Sequence, residues 1–153
     1  MIEEVEVSDA KEELKRADHS IYVTLKYTKT ADVIKNIIKR LIIAFDFAME
    51  DLIQFLVEKK KLKNVPSSKR AKTELLVKKI PKLKENMQAY LVMRKIDVAP
   101  FTKREEYRKH VTLIAKVSLK ETREVNMDVL RNFFARTGEF VEFVDAVKAG
   151  TVK

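Results

Sequence analysis

One short stretch of the chain brings together side chains suited to phosphate chemistry. In Phe101-Thr102-Lys103-Arg104-Glu105-Glu106-Tyr107-Arg108-Lys109-His110-Val111, Arg104 is followed after five intervening residues by His110, one of 2 histidines in the protein. An imidazole takes up or releases a proton near neutral pH, its unperturbed pKa being about 6.5. A guanidinium is a permanent planar cation whose N–H fork matches phosphate oxygens. Scission of RNA by attack of a 2′-hydroxyl on the neighbouring phosphate needs both: His110 to move the proton and Arg104 to hold the charge. Arg108 is a competing phosphate ligand. If the segment is a straight helix, six residues set Arg104 and His110 about 120° apart around its axis. A long arginine at the helix start, or a second copy of the pair across a two-fold axis, then has to close the gap. The plainer reading makes Arg104, Glu105, Arg108 and Lys109 a solvated helix face and His110 a satisfied, partly buried side chain. His19, between Asp18 and Ser20, is read as structural.

The second feature is charge. The 153 residues include 32 Lys+Arg and 23 Asp+Glu, a formal net charge of +9. Between Val57 and Lys84 stand eleven basic residues against Glu58 and Glu74, so this stretch holds the whole excess and the rest of the chain is neutral. Such a segment suits the phosphate backbone of a nucleic acid, contacted without regard to sequence and weakened by salt. Lys59, Lys60, Lys61, Lys63, Lys69, Arg70 and Lys72 are its candidate contacts. The competing reading is ordinary hydration: charged residues make up 36% of the chain and cysteine is absent, a balance found in proteins from hot environments, where lysines serve as solvated surface and ion-pair partners.

Several chemistries are excluded by residue type. Without cysteine there is no disulfide, thiolate zinc site or thiol nucleophile. Two histidines with no paired-ligand spacing, no glycine-rich phosphate loop and no nucleophile elbow leave no metal and no cofactor to expect. The start, Met-Ile-Glu-Glu-Val-Glu-Val, is acidic and lacks a secretion signal's basic start and apolar run, so a cytoplasmic location is expected.

The elements that must position these groups follow from apolar spacing. Only 2 Gly and 3 Pro accompany 46% apolar residues, too few turn residues for an all-β fold and enough apolar surface for one domain over residues 1–153. Ala10, Leu14, Ala17, Ile21 and Leu25 mark a first helix capped by Ser8 or Asp9, although Ser20 to Tyr27 is rich in strand-favouring types. Thr30 caps a second helix in which Ile34, Ile38, Leu41, Phe45, Ala48, Leu52 and Phe55 keep one phase. Further apolar positions widen this stripe and place the helix at the centre of a bundle. Its charges exclude a membrane span. Asp46 interrupts the apolar run, either to orient a basic group or simply as an exposed residue. Lys63 to Ser68 is the principal loop, followed by a third helix to about Ile80. Pro81 suits the first turn of a fourth helix bearing Leu83, Met87, Tyr90, Leu91 and Arg94, and Pro100 and Thr102 open a fifth. From Val111 helical and alternating patterns conflict, with no assignment beyond about Ala115. Asn126 caps a last helix through Leu130, Phe134, Thr137, Val141 and Val144, with Gly138 read as a point of close helix approach. Phe45, Phe47, Phe133, Phe134, Phe140 and Phe143 are core by their spacing. The expected fold class is all-α: a single-domain bundle of about five or six helices built around a long central one.

In that setting the Arg104-to-His110 spacing resembles the HEPN superfamily, whose motif is Arg, four to six residues, then His. The resemblance implies an all-α bundle, a homodimer with the motif at its interface and, in active members, metal-independent endoribonuclease activity. It gives Arg104, His110 and Glu105, the polar residue following the arginine, the catalytic places. It also implies RNA as substrate and a nucleotidyltransferase-type protein as an alternative partner. Two other readings stay open: a non-catalytic helical interaction module, and passive nucleic-acid binding through the lysines alone.

Overall fold

The computed structural model describes residues 9–21, 31–106 and 110–150, with residues 104–106 and 110 described through their backbone. Among them lie five α-helices: α1 (Asp9–His19), α2 (Ala31–Glu58), α3 (Lys69–Lys79), α4 (Lys84–Val98) and α5 (Met127–Lys148). A 3-10 turn, Pro81–Leu83, joins α3 to α4. Between α4 and α5 the chain forms three strands, β1 (Phe101–Glu106), β2 (His110–Lys116) and β3 (Thr122–Val125), in one antiparallel sheet of order β1-β2-β3. The all-α expectation is therefore corrected to a mostly helical fold carrying a small sheet. Ser8, Leu25 and Thr30, expected at helix ends or on the first apolar face, lie outside the described residues, as do Tyr107, Arg108 and Lys109.

The long central helix is present. Over 28 residues, or roughly 42 Å at 1.5 Å per residue, α2 buries thirteen side chains, among them Ile34, Ile38, Leu41, Phe45, Ala48 and Leu52 in the expected phase. Helices α1, α4 and α5 and strand β2 pack around it. The Phe45 ring stacks on Phe140 of α5 at 5.2 Å between centroids and tilts against Tyr90 of α4 at 5.3 Å. Phe47 departs from the expected aromatic core and is 39% exposed. Two residues from Phe45, it falls about 200° away around the helix, opposite the packed aromatic side. No helix of the described residues is long and apolar enough to cross a membrane.

Local rules fix several helix ends. The Ser68 side chain accepts the Ala71 N–H at 3.1 Å and starts α3, while Asn126 Oδ1 accepts the Val129 N–H at 2.9 Å and starts α5. Each such cap stabilises its helix by about 1 kcal/mol. Pro100 acts differently from expectation: a proline disfavours α geometry in the preceding residue, and Ala99 is extended, with φ −78° and ψ 149°. The chain leaves α4 there and enters β1 rather than a fifth helix.

The segment expected to carry Arg104 and His110 on one helix is thus a strand pair. In β2 alternation holds only in part: Val111, Leu113 and Ala115 are buried, as is Val125 of β3, but Thr112 is buried as well, and Lys116 is exposed. Val125 pairs with Leu113. β1 has no strong strand preference of its own; pairing with the apolar β2 imposes the extended state, an instance of tertiary context overriding propensity.

Gly138 was expected to permit close helix approach, and the packing is looser than that. A Cβ built there would meet Leu14 Cδ2 of α1 at 3.8 Å, an ordinary contact. A glycine inside a helix costs about 0.5–1 kcal/mol relative to alanine. Gly138→Ala should therefore raise stability by that amount in urea unfolding, and a destabilised variant would show that α1 cannot accept the methyl.

Candidate nucleic-acid interface

The lysine-rich flank begins where α2 ends. Lys61 N–H reaches back to the Leu56 carbonyl at 2.8 Å, with Lys60 between them in the left-handed region at φ 60°. This closure normally uses glycine; a side chain in that conformation costs roughly 1 kcal/mol. Leu62 is buried and anchors the turn, leaving Lys59, Lys60, Lys61 and Lys63 exposed around it. Asn64 is also left-handed, at φ 56°, a conformation asparagine tolerates.

Helix α3 opens against the electrostatic grain. Lys69 and Arg70 occupy its first turn with no acidic residue there, although the positive end of a helix disfavours cations by about 0.3–1 kcal/mol each. Carboxylates answer them. Lys69 Nζ lies 2.8 Å from Asp46 Oδ2, Lys72 Nζ 2.6 Å from Glu50 Oε1 and Arg70 Nε 3.6 Å from Glu74 Oε1. The structure therefore divides the sequence-derived contacts into two groups. Lys69, Arg70 and Lys72 are ion-paired, two of them to α2, while the turn lysines are exposed, with Lys59 Nζ 5.7 Å over the Phe55 ring. Lys78 and Lys79 sit in the last turn of α3, where the helix dipole favours cations. Lys82 lies 4.5 Å over the Phe143 ring, and Lys84 is exposed at the start of α4.

Asp46 resolves into the first of its two roles, orienting a basic group. Its second oxygen accepts a hydrogen bond from the hydroxyl of Tyr90, a fully buried side chain on α4. This clasp joins α2, α3 and α4 through one carboxylate. Burial first, then the hydrogen bond and charge of Asp46, push the Tyr90 pKa well above its ordinary value of 10.0, with the Arg94 guanidinium acting in the opposite direction. Above about pH 10 the unfolded chain releases this proton and the folded chain keeps it, so the stability it contributes declines as pH rises further. Wild-type protein should lose more stability than Tyr90→Phe between about pH 10 and 11, measured by urea unfolding. Equal losses would show that Tyr90 does not drive the alkaline change.

The hairpin positions the Arg/His pair by register. Arg104 pairs with Thr112, Glu105 with Val111 and Glu106 with His110. Counting along β2, His110 stands two residues from the partner of Arg104. Positions 104, 110 and 112 therefore share one pleat parity, and Glu105 has the other. Such a diagonal relation spans about 7–8 Å across neighbouring strands, which replaces the 120° separation that a helix would impose. Arg108 lies outside the described residues.

Comparison with family models, curated proteins and solved structures finds no match to this chain.

Sequence reasoning also missed an open groove of about 380 Å³ between α4, β3 and α5. Val92, Ile96, Val129 and Phe133 line it beside Arg123 and Arg136. Arg136 is committed to Glu85 at 3.0 Å and Glu139 at 3.5 Å. No local sequence signal joins three elements so far apart in the chain. Among the described residues no cluster of His, Asp or Glu is arranged to hold a metal ion.

Proposed function

We propose that this protein binds RNA by its phosphate backbone through the lysine-rich flank between α2 and α4. The observation carrying this reading is the turn at Lys59–Lys63, where four exposed lysines surround a buried Leu62 anchor. One of them occupies a backbone conformation better suited to glycine, a local stability sacrifice of the kind that accompanies functional surfaces. Neutralising about six phosphates of a single strand would make affinity fall roughly 300-fold between about 50 and 200 mM salt. Fluorescence anisotropy with single-stranded RNA across that range tests the reading. Binding that is absent at the lowest salt, or indifferent to salt, would overturn it.

A second reading adds RNA cleavage, with His110 as acid/base, Arg104 as phosphate clamp and Glu105 as the neighbouring polar residue. What favours it is the shared pleat parity of positions 104 and 110, consistent with the likeness of their spacing to the HEPN motif. Incubation of RNA with the protein in EDTA, with His110→Ala alongside, tests this step. Cleavage should appear with wild type and vanish with the variant; cleavage surviving the substitution removes His110 from the mechanism.

A further inference from the structure

Along α2 the residues turned away from the core form a patterned stripe. Asn36, Lys39, Ile43, Phe47, Glu50 and Gln54 are all exposed. Ile43 and Phe47, one turn apart, are 40% and 39% exposed, an apolar pair left partly open to solvent. Arg40 and Asp51 flank the stripe with side chains 43% and 38% exposed.

The order of charges is informative. Read from the N-terminal end, the stripe runs amide, basic pair, apolar pair, acidic pair, amide, centred on position 45. Lys39 and Arg40 precede that centre by six and five residues, and Glu50 and Asp51 follow it by five and six. At 100° per residue, Lys39 and Glu50 fall on one flank of the stripe and Arg40 and Asp51 on the other. A two-fold axis crossing the helix at its centre keeps each flank on its own side while reversing the helix direction. Every basic residue then faces an acidic one.

We propose that α2 pairs with α2 of a second copy of this chain, antiparallel about a two-fold axis near position 45. Ile43 packs on the partner's Phe47, Lys39 meets the partner's Glu50, Arg40 meets the partner's Asp51 and Asn36 meets the partner's Gln54. The contact from residue 36 to residue 54 extends roughly 27 Å. A parallel pairing in register would set lysine against lysine and glutamate against glutamate, so the charge order selects the antiparallel form. It also selects the occupant, because a copy of the same helix supplies the complementary order without any further requirement. Existing pairs within the chain do not block this. Arg40 with Glu13 at 3.4 Å, Glu50 with Lys72 at 2.6 Å and Asp51 with Lys148 at 3.8 Å leave the side chains of Arg40, Glu50 and Asp51 43%, 63% and 38% exposed, and a carboxylate accepts a second cation. The proposal is independent of RNA binding.

Sedimentation velocity over a protein concentration series tests it at low salt. Wild type should show a concentration-dependent monomer–dimer equilibrium. Phe47→Glu and Lys39→Glu should each weaken dimerisation roughly tenfold or more, and the double exchange Lys39→Glu with Glu50→Lys should restore it. Circular dichroism melts of each variant separate lost pairing from lost folding, and the exposed Lys39 serves if Phe47→Glu unfolds. A protein monomeric at millimolar concentration, a dimer indifferent to these substitutions, or a double exchange that fails to restore pairing would each overturn the proposal.

Discussion

Replacing Lys59, Lys60, Lys61 and Lys63 together with glutamine is expected to reduce RNA affinity roughly 10²–10³-fold at low salt and to flatten the slope of its log–log salt dependence by about 2.8. The slope change follows from about 0.7 released counterions per lost phosphate contact on a single strand. All four side chains are exposed, so the fold should survive, and an unchanged thermal melt would establish that. The matched control exchanges Lys95 and Lys120, which are exposed elsewhere and should change affinity little. Neutralising Lys69, Arg70 and Lys72 is a poorer experiment. Those cations already face carboxylates, and removing Lys69 disturbs the Asp46 clasp. Equal loss from the control pair would mean that the turn is no special surface and that binding tracks bulk charge.

The largest effect on stability is expected at Phe45. Its side chain is fully buried, between Tyr90 of α4 and Phe140 of α5. Phe45→Ala removes the ring and leaves a cavity, with a cost of about 3–5 kcal/mol. For a domain of this size each kcal/mol lowers the melting temperature by about 2–4 °C, so a fall of roughly 6–20 °C is expected by circular dichroism. Phe45→Leu should cost less, since it fills part of the space. A loss below about 1 kcal/mol in urea would show that the three rings do not form the mechanical centre of the bundle.

What could be read in advance was what is decided locally. The phase of α2 is repeated over seven turns, and the caps at Ser68 and Asn126 act within three residues of themselves. The sheet was hidden because β1, with Thr102, Lys103, Arg104, Glu105 and Glu106, owes its extended form to a neighbour across the hairpin. The relation between Arg104 and His110 depends on the register of that hairpin, which spacing along the chain does not specify. Charge behaved similarly. Its concentration between residues 57 and 84 was visible, but the division into paired and exposed lysines was not. Asp46 and Glu50 supply that division from more than twenty residues upstream, on another helix.

The stacked rings of Phe45, Tyr90 and Phe140 also constrain how the protein is made. They join three helices separated by some fifty residues at each step, and α5 is the last of them to leave the ribosome. Until it arrives, the apolar side of α2 that receives Phe140 has no cover. Closure of the bundle must wait until α5 has been made. A nascent chain paused within the sheet would present that uncovered side to chaperones, or to other chains paused at the same point.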